Sequence, residues 1–208
     1  MNDPIDFERA LADVAGGRIV VLSGDRLRGG DLDFMMAARH ADAAAINFMA
    51  THGRGLICLT VTPARAIQLG LSLINPGTER QTGRPFARSI EARTGVSTGI
   101  SAADRAHTVQ VAIGDAATSD DIISPGHVFP LIAQPGGVRA RQSAVEASID
   151  VCRMVGAGDS AVICSIMRDD GEMARLEDLG RLIAEHELAV LDIASLVERM
   201  EQASSIDR

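Results

Sequence analysis

Residues 125–150 hold the side chains whose types and spacing best suit chemistry. They place His127 beside a Pro-Gly pair, then a Gly-Gly pair, then Arg139 and Arg141, and then the start of a helix. Proline and glycine set special backbone angles, so we predict a strand between two tight turns. A helix N-terminus with arginine nearby attracts anions. The segment therefore fits an anion site beside a histidine, and a surface hairpin followed by a helix is the plainer alternative.

Two other glycine-rich segments carry polar side chains. Residues 24–31 combine charged residues with glycines between two buried elements, which is common in functional loops and equally common in solvated turns. Residues 94–105 combine glycines with small hydroxyl residues, Thr98 among them. Such a run can cradle an anion with backbone N–H groups. It also fits a helix start at which Ser101 caps and Asp104 closes a capping box, and we favour this second interpretation.

The basic residues exclude several kinds of enzyme. All 20 of them are arginine, and the chain contains no lysine, tryptophan or tyrosine. Without lysine there is no Schiff-base aldolase chemistry, no covalent attachment of pyridoxal phosphate and no P-loop of the GK[ST] type. Without tyrosine there is no tyrosine acid or base.

The net charge and the cysteines limit which binding partners and which cellular compartment we expect for the protein. The net charge of −8 argues against a nucleic-acid partner. The longest apolar run, around Cys58, is too short for a membrane span, so we expect no membrane partner. Cys58, Cys152 and Cys164 lack CxxC spacing and lie in apolar surroundings. That pattern is typical of reduced, buried thiols in a cytoplasmic protein.

Alternating strands and helices must position these residues. A chain of 208 residues, 46% of them hydrophobic, predicts a single domain over residues 1–208. The patterns predict helices over 3–15, 41–52, 62–69, 144–154 and 176–187, strands over 18–22, 55–61, 88–91, 107–113 and 160–166, and a loop over 75–85. Because the alternation is irregular, it fits an α/β or an α+β fold with a mixed sheet.

Four motifs then occur in order along the chain. They are FMATHGRGLICLTVTP at 48–63, TGVSTGISAADRAHT at 94–108, PGHVFPL at 125–131 and DDGEMAR at 169–175. Together they closely resemble the 3,4-dihydroxy-2-butanone 4-phosphate synthase family of riboflavin biosynthesis. The resemblance implies an α+β fold with a mixed β-sheet flanked by helices, and a homodimer with its active sites at the interface. It also implies conversion of ribulose 5-phosphate to dihydroxybutanone phosphate and formate with Mg²⁺.

The chain departs from this family at both positions that hold the metal. The family's loop Asp-Arg-Glu-Asn-Glu-Gly-Asp reads DRLRGGD at 25–31, so Leu27 replaces a metal-binding glutamate. The family's Arg-x-Gly-His-Thr-Glu-Ala reads RQSAVEA at 141–147, so Ala144 replaces the metal-binding histidine. Protein-bound Mg²⁺ depends on very few protein groups, and neither leucine nor alanine can coordinate it. We therefore expect no metal cofactor.

Two further departures affect phosphate binding and proton transfer. Val145 replaces a threonine that contacts the phosphate in the family, and Ser165 replaces a glutamate that the family needs for proton transfer. A serine in that place is no general base. We therefore interpret the chain as a diverged, metal-independent enzyme for another small polar or carbonyl substrate, inactive or nearly so on ribulose 5-phosphate. A silent ligand-binding or regulatory homologue and an ordinary Mg²⁺-dependent synthase are the alternatives.

The resemblance and the residue types together give the expected site. We expect His127, Asp31 and Cys58 to be catalytic, with His127 projecting into the partner's site as its family position implies. For Cys58, a buried structural thiol is the favoured alternative. A small polar or anionic ligand is expected to bind Arg26, Arg28, Arg141, Thr98 and Ser165. Of these, Arg28 is a new cation, expected to hold an anion where the family binds its metal.

Overall fold

Strands of both orientations form one sheet in the computed structural model, which describes residues 4–76 and 84–206. Within those residues the strands are β1 Val20–Asp25, β2 Asp31–Ala37, β3 Cys58–Val61, β4 Ile90–Ala92, β5 Ile122–Ile132, β6 Ala161–Ser165 and β7 Val190–Asp192. Their order across the sheet is β4-β5-β3-β6-β2-β1-β7. The pairs β3–β5 and β1–β7 are parallel, and the other neighbours are antiparallel.

Helices cover both faces of this sheet. The described helices are α1 Pro4–Ala15, α2 Ala43–Gly53, α3 Pro63–Gln68, α4 Ala102–Ile113, α5 Gly137–Ala140, α6 Ala144–Met154, α7 Gly180–His186 and α8 Ile193–Ile206. Among the described residues, none of the helices is long and apolar enough to cross a bilayer. A mixed sheet with helices on its faces confirms the predicted α+β fold.

The sheet separates two hydrophobic clusters. One cluster contains buried residues of α2 and α4, and the other contains buried residues of α1, α6 and α8. Within β2, Phe34 belongs to the first cluster and Met35 to the second, because successive side chains of a strand point to opposite faces. A strand covered on both faces is apolar along its length, which makes the charged Asp33 in the middle of β2 exceptional.

One end of the sheet collects the polar residues. Asp25 at the end of β1 pairs in register with Asp31 at the start of β2, and Asp33 pairs with Ser165 at the end of β6. Because β3 is antiparallel to β6, it begins at this same end with Cys58. We refer to the end of the sheet defined by Asp25, Asp31, Asp33 and Ser165 as the polar end.

The strand predicted over residues 107–113 is wrong, because this segment belongs to α4. Its apolar residues alternate over a short stretch, yet the buried positions Ala106, Val109 and Ala112 recur every three residues. That spacing follows one face of a helix. The helices predicted over 3–15, 41–52, 62–69 and 144–154 agree with α1, α2, α3 and α6 to within two residues at each end.

The tight turn predicted at Pro125-Gly126 is also wrong, because β5 runs through these residues. The ladder between β4 and β5 slips instead. Ile90 pairs with Val128 while the next residue, Glu91, pairs with Ile123. Residues 124–127 therefore bulge out of register, and the peptide bond before Pro125 is cis.

Some elements were not anticipated by the sequence patterns. Among these are β2, β7, α5, α8 and the 3₁₀ turn Arg26–Arg28 between β1 and β2. The helix predicted over 176–187 divides into a 3₁₀ turn, Leu176–Leu179, followed by α7. The loop predicted over 75–85 falls mostly on residues 77–83, which lie outside the described residues.

The buried hydroxyl of Thr60 joins β3 to β6 and α6. It donates to the carbonyl of Ala161 at 3.2 Å and accepts from the N–H of Ala161 at 3.1 Å and from Ser148 Oγ at 3.1 Å. Thr60→Val should lower the free energy of unfolding by about 1–3 kcal/mol, since it leaves buried polar groups without this partner. Urea denaturation measures the change. The matched control Thr51→Val, at an exposed position of α2, should stay within about 0.5 kcal/mol, and an equal loss in both variants would contradict the assignment.

Candidate functional site

A buried ion pair lies at the centre of the polar end. Arg84 Nη2 donates to the two carboxylate oxygens of Asp33 at 2.6 and 2.7 Å and to Ser165 Oγ at 3.0 Å. Ser165 in turn donates its hydroxyl proton to Asp33 Oδ1 at 3.0 Å. Burial lowers the pKa of Arg84, but the charge of Asp33, the hydrogen bond to Asp33 and the neighbouring Cys58 and Asp25 together raise it more, so the net shift is upward. The position of the family's proton-transferring glutamate is therefore part of a closed Arg–Asp–Ser network.

Asp31 lies between two arginines. Its Oδ2 is 2.9 Å from Arg28 Nη2, and its Oδ1 is 3.0 Å from Arg175 Nη1. Asp31 is buried, whereas both arginine side chains retain solvent exposure. One carboxylate thus faces two guanidinium groups, and Asp25, which pairs in register with Asp31, adds a second carboxylate at this end of the sheet.

Asp25 links the β1–β2 connection to the start of α6. Its Oδ1 accepts the N–H of Leu27 at 3.1 Å, and its Oδ2 accepts the N–H of Ala144 at 3.0 Å. Burial raises the pKa of Asp25, and the hydrogen bond from Ala144 partly offsets that rise. Positions 27 and 144, where the resemblance in sequence implies the metal ligands, are therefore bridged by this single carboxylate.

Arg141 precedes α6 and is buried. Its Nη1 donates to Glu146 at 3.0 and 3.2 Å and to Ser143 Oγ at 3.1 Å. Ser143 also caps α6 by accepting the N–H of Val145 at 3.3 Å. The guanidinium of Arg141 is thus engaged by the first turn of α6.

His127 and Thr98 lie around a different carboxylate, that of Glu91. His127 Nδ1 is 3.1 Å from Glu91 Oε2, and the imidazole is partly exposed. Gly99, with φ of 79°, passes so close to Glu91 that a Cβ at position 99 would overlap the carboxylate. A glycine is required there, and it brings the exposed Thr98 into the neighbourhood of His127.

The turn before α4 is filled by a side chain of the protein itself. Ser101 Oγ accepts the N–H of Asp104 at 3.0 Å, which confirms the predicted cap. The Asp104 carboxylate accepts the N–H groups of Ser97 and Gly99 at 3.2 and 3.0 Å. It does not close a capping box with Ser101, and it occupies the N–H groups that an anion would use.

Cys58 is buried at the start of β3. Its thiol donates weakly to the carbonyl of Leu56 at 3.6 Å. Burial raises the pKa of Cys58 to about 12, so very little thiolate exists at neutral pH. The thiolate is the nucleophilic form of cysteine, so this environment favours a structural thiol, and a catalytic role for Cys58 stays a prediction.

The structure brings some of the expected site residues together and separates others. Asp31, Arg28, Ser165 and Cys58 lie at the polar end with the exposed Arg26, whereas the group around Glu91 lies on the β4–β5 side. The sequence patterns did not predict a site role for Asp33, Arg84, Arg175 or Glu91. A signal existed for Asp33, since a lone carboxylate inside an apolar strand must find a partner.

The polar end does not fit a magnesium ion. Its carboxylates are taken by Arg84 and Ser165 at Asp33, by two arginines at Asp31 and by backbone N–H groups at Asp25. Within the part of the chain that the structure describes, no group of three or more His, Cys, Asp or Glu side chains could hold a metal ion. Mg²⁺ requires near-octahedral oxygen ligands, and binding it here would require these carboxylates to leave their present partners.

Comparison with known proteins identifies the family. The profile of the family 3,4-dihydroxy-2-butanone 4-phosphate synthase matches residues 8–199. A protein of that name from Pseudomonas aeruginosa is 44% identical over 203 residues, which cover 97% of this chain and 56% of the relative. The chain belongs to the 3,4-dihydroxy-2-butanone 4-phosphate synthase family, which confirms the resemblance in the sequence.

Further relatives agree in sequence and in fold. Riboflavin biosynthesis protein RibBA of Aquifex aeolicus is 43% identical over 204 residues, covering 97% of this chain and 50% of the relative. A crystal structure of a 3,4-dihydroxy-2-butanone 4-phosphate synthase in complex with two magnesium ions superposes with a TM-score of 0.89 at 30% identity, over 98% of this chain and 99% of the other. The chain spans about half the length of the curated relatives that it matches.

The Arg84–Asp33 pair gives a direct test of the polar end. Asp33→Ala should lower the free energy of unfolding by about 3–5 kcal/mol, because it leaves a buried guanidinium without its carboxylate. The double variant Asp33→Val/Arg84→Met should recover most of that loss, since both charges are removed together. Urea denaturation provides the comparison. Arg168→Ala, which breaks the exposed pair with Asp170, should cost less than about 1 kcal/mol. A double variant no more stable than Asp33→Ala would refute the pairing.

The cysteines should be unreactive in the folded protein. Burial raises the pKa of Cys58, Cys152 and Cys164 to about 12 each. A disulfide reagent such as Ellman's reagent at pH 8 should therefore modify them far more slowly in the native chain than in urea. A fast-reacting thiol that disappears in Cys58→Ser would instead show an activated Cys58.

Proposed function

We propose that this chain acts in riboflavin biosynthesis as a 3,4-dihydroxy-2-butanone 4-phosphate synthase, converting ribulose 5-phosphate to 3,4-dihydroxy-2-butanone 4-phosphate and formate, and that its own site makes the reaction slow. The observation that carries this proposal is 44% identity to a synthase over 97% of the chain. The expectation of a different substrate and a metal-independent reaction finds no support among the relatives, which are synthases or riboflavin biosynthesis proteins.

The slow rate follows from the groups at the polar end. Leu27 and Ala144 provide no oxygen or nitrogen ligand, and Ser165 is held between Arg84 and Asp33. A positioned general acid or base contributes about 10²–10⁴-fold to a rate, and the serine at position 165 supplies none of it. The loss of this one group alone thus corresponds to a rate reduction of at least about a hundredfold.

His127 is the acid–base group that we assign to the remaining activity. It is partly exposed, and Glu91 at 3.1 Å orients its Nδ1. Such a carboxylate fixes the tautomer of an imidazole and leaves Nε2 to exchange a proton. Asp31 is assigned a supporting role, because its carboxylate is engaged by Arg28 and Arg175.

A homodimer is part of this proposal. Leu27, Leu56 and Leu176 are large apolar side chains that remain about half exposed at 45%, 51% and 49%. Leu27 and Leu56 adjoin the polar end, where a second copy would cover them. In such a dimer His127 would serve the neighbouring site. The free, buried cysteines suit the cytoplasm, where thiols are kept reduced.

A formate-release assay tests the activity. Purified chain is incubated with ribulose 5-phosphate, with Mg²⁺ or with EDTA, beside the triple variant Leu27→Glu/Ala144→His/Ser165→Glu. The parent should release formate at least about a hundredfold more slowly than the triple variant in Mg²⁺, since the variant restores a general base and the two metal ligands. His127→Gln in the parent should remove most of the remaining rate.

The possible outcomes separate the explanations. A parent as fast as the triple variant would mean that Leu27, Ala144 and Ser165 do not limit the rate. A parent that releases no formate in either condition would contradict the proposed activity.

A second candidate function is a homologue that binds the sugar phosphate without converting it. What favours it is that positions 27, 144 and 165 hold Leu, Ala and Ser, where the resemblance in sequence implies two metal ligands and a proton-transfer group, while the fold matches a synthase structure at a TM-score of 0.89. Binding of ribulose 5-phosphate by the parent in the absence of any formate would support this function over the first.

A further inference from the structure

We propose that Arg28 and Arg175 form a metal-free binding site for a phosphate group at the polar end. The inference rests on the proposed function only for the identity of the ligand, a sugar phosphate. The resemblance in sequence implies that the phosphate binds at positions 141 and 145. The proposal places the phosphate at Arg28 and Arg175 instead.

The first observation is the charge around Asp31. Arg28 and Arg175 contact the two oxygens of the same carboxylate at 2.9 and 3.0 Å. Asp31 holds both guanidinium groups at the polar end. A phosphate monoester carries about 1.5 to 2 negative charges at neutral pH, and both guanidinium groups would donate hydrogen bonds to it.

The second observation is a hydrogen-bond donor that lacks an acceptor. Arg28 Nε is buried, and it has no hydrogen-bond partner among residues 4–76 and 84–206. A buried donor left unpaired is unfavourable, and each such group calls for an explanation such as an absent ligand. A phosphate oxygen beside the guanidinium would supply the acceptor, because arginine binds phosphate through two parallel N–H groups.

The third observation is that the family's phosphate position is no longer suited to the task. Arg141 is buried and donates to Glu146 and Ser143. Val145 has no hydroxyl group, and its N–H is bound by Ser143 Oγ at 3.3 Å. At the start of α6, the N–H of Ala144 donates to Asp25 Oδ2. These groups are occupied by the protein, whereas Arg28 and Arg175 keep exposed surface.

Accessibility is consistent with this assignment. The side chain of Arg28 is 23% exposed and that of Arg175 is 47% exposed, so a small ligand contacts part of each from solvent, and it reaches the buried Nε of Arg28 only when that side chain shifts outward. Arg26, also exposed, lies two residues before Arg28 on the same connection. Guanidinium groups replace the family's metal as the positive charge of the site, and they need no coordination by Leu27 or Ala144.

Calorimetric titration with inorganic phosphate at low ionic strength, in EDTA, tests the assignment. The parent should bind phosphate without Mg²⁺, and Arg28→Gln and Arg175→Gln should each weaken the Kd about tenfold or more, as expected for the loss of a charge-assisted hydrogen bond. The control Arg181→Gln removes an exposed arginine of α7 that is also paired with a carboxylate, Glu185, and its Kd should match that of the parent. Circular dichroism and thermal melting verify that each variant is folded.

Several results would overturn the proposal. These are phosphate binding that requires Mg²⁺, an unchanged Kd in Arg28→Gln and Arg175→Gln, or loss of binding in Arg141→Gln alone. Acetate is the comparison ligand, and an equal affinity for acetate would overturn the assignment to phosphate. Formate release is not measured in this experiment, so its outcome is independent of the synthase activity. An inactive chain can still bind phosphate at Arg28 and Arg175, and an active chain can lack this phosphate site.

Discussion

The buried carboxylate of Asp33, in the middle of an apolar strand, is the constraint on which the polar end depends. An unpaired charge in that position would be strongly destabilising, so β2 requires a cation and hydrogen-bond donors within reach. Arg84 and Ser165 supply them. The contacts of Arg84 with Asp33 and Ser165 hold the segment before β4 against β2 and β6. They also make Arg84 and Asp33 the neighbours of Ser165. The surroundings of the candidate site are thus set by the electrostatics of the sheet itself.

In the proposed phosphate site, guanidinium groups supply the positive charge that a divalent cation would otherwise supply. A bound divalent cation offers open coordination positions that polarise bound oxygens. Arginine side chains offer N–H groups in a fixed plane, which bind oxyanions well but do not activate a bound water or carbonyl to the same extent. Arg28, Arg84 and Arg175 therefore suit recognition of an anion better than rapid proton transfer, in agreement with a slow reaction and a metal-free phosphate site.

Sequence patterns are informative here where the determinants are local. The helix predicted over 144–154 coincides with α6 because its cap, Ser143, and its apolar face lie within a few residues of each other. The prediction fails for residues 107–113, where a short alternation conceals a three-residue spacing. The partners of the polar end escape prediction for a different reason. Asp33 and Arg84 are 51 positions apart and Asp31 and Arg175 are 144 apart, and no local pattern links them.

The bond between Asp25 and Ala144 has a consequence for the order of folding. Its two residues are separated by 119 positions, and the contacts of Asp33 with Ser165 and of Asp31 with Arg175 span 132 and 144. Contacts at such sequence separation form only after large loops have closed, which slows folding. Synthesis proceeds from the N-terminus. Asp25, Asp31 and Asp33 are therefore made before their partners Ala144, Ser165 and Arg175. The polar end is therefore completed only after Arg175 has been made, and an intact site shows that β1, β2, β6 and the segments around Ala144 and Arg175 have come together.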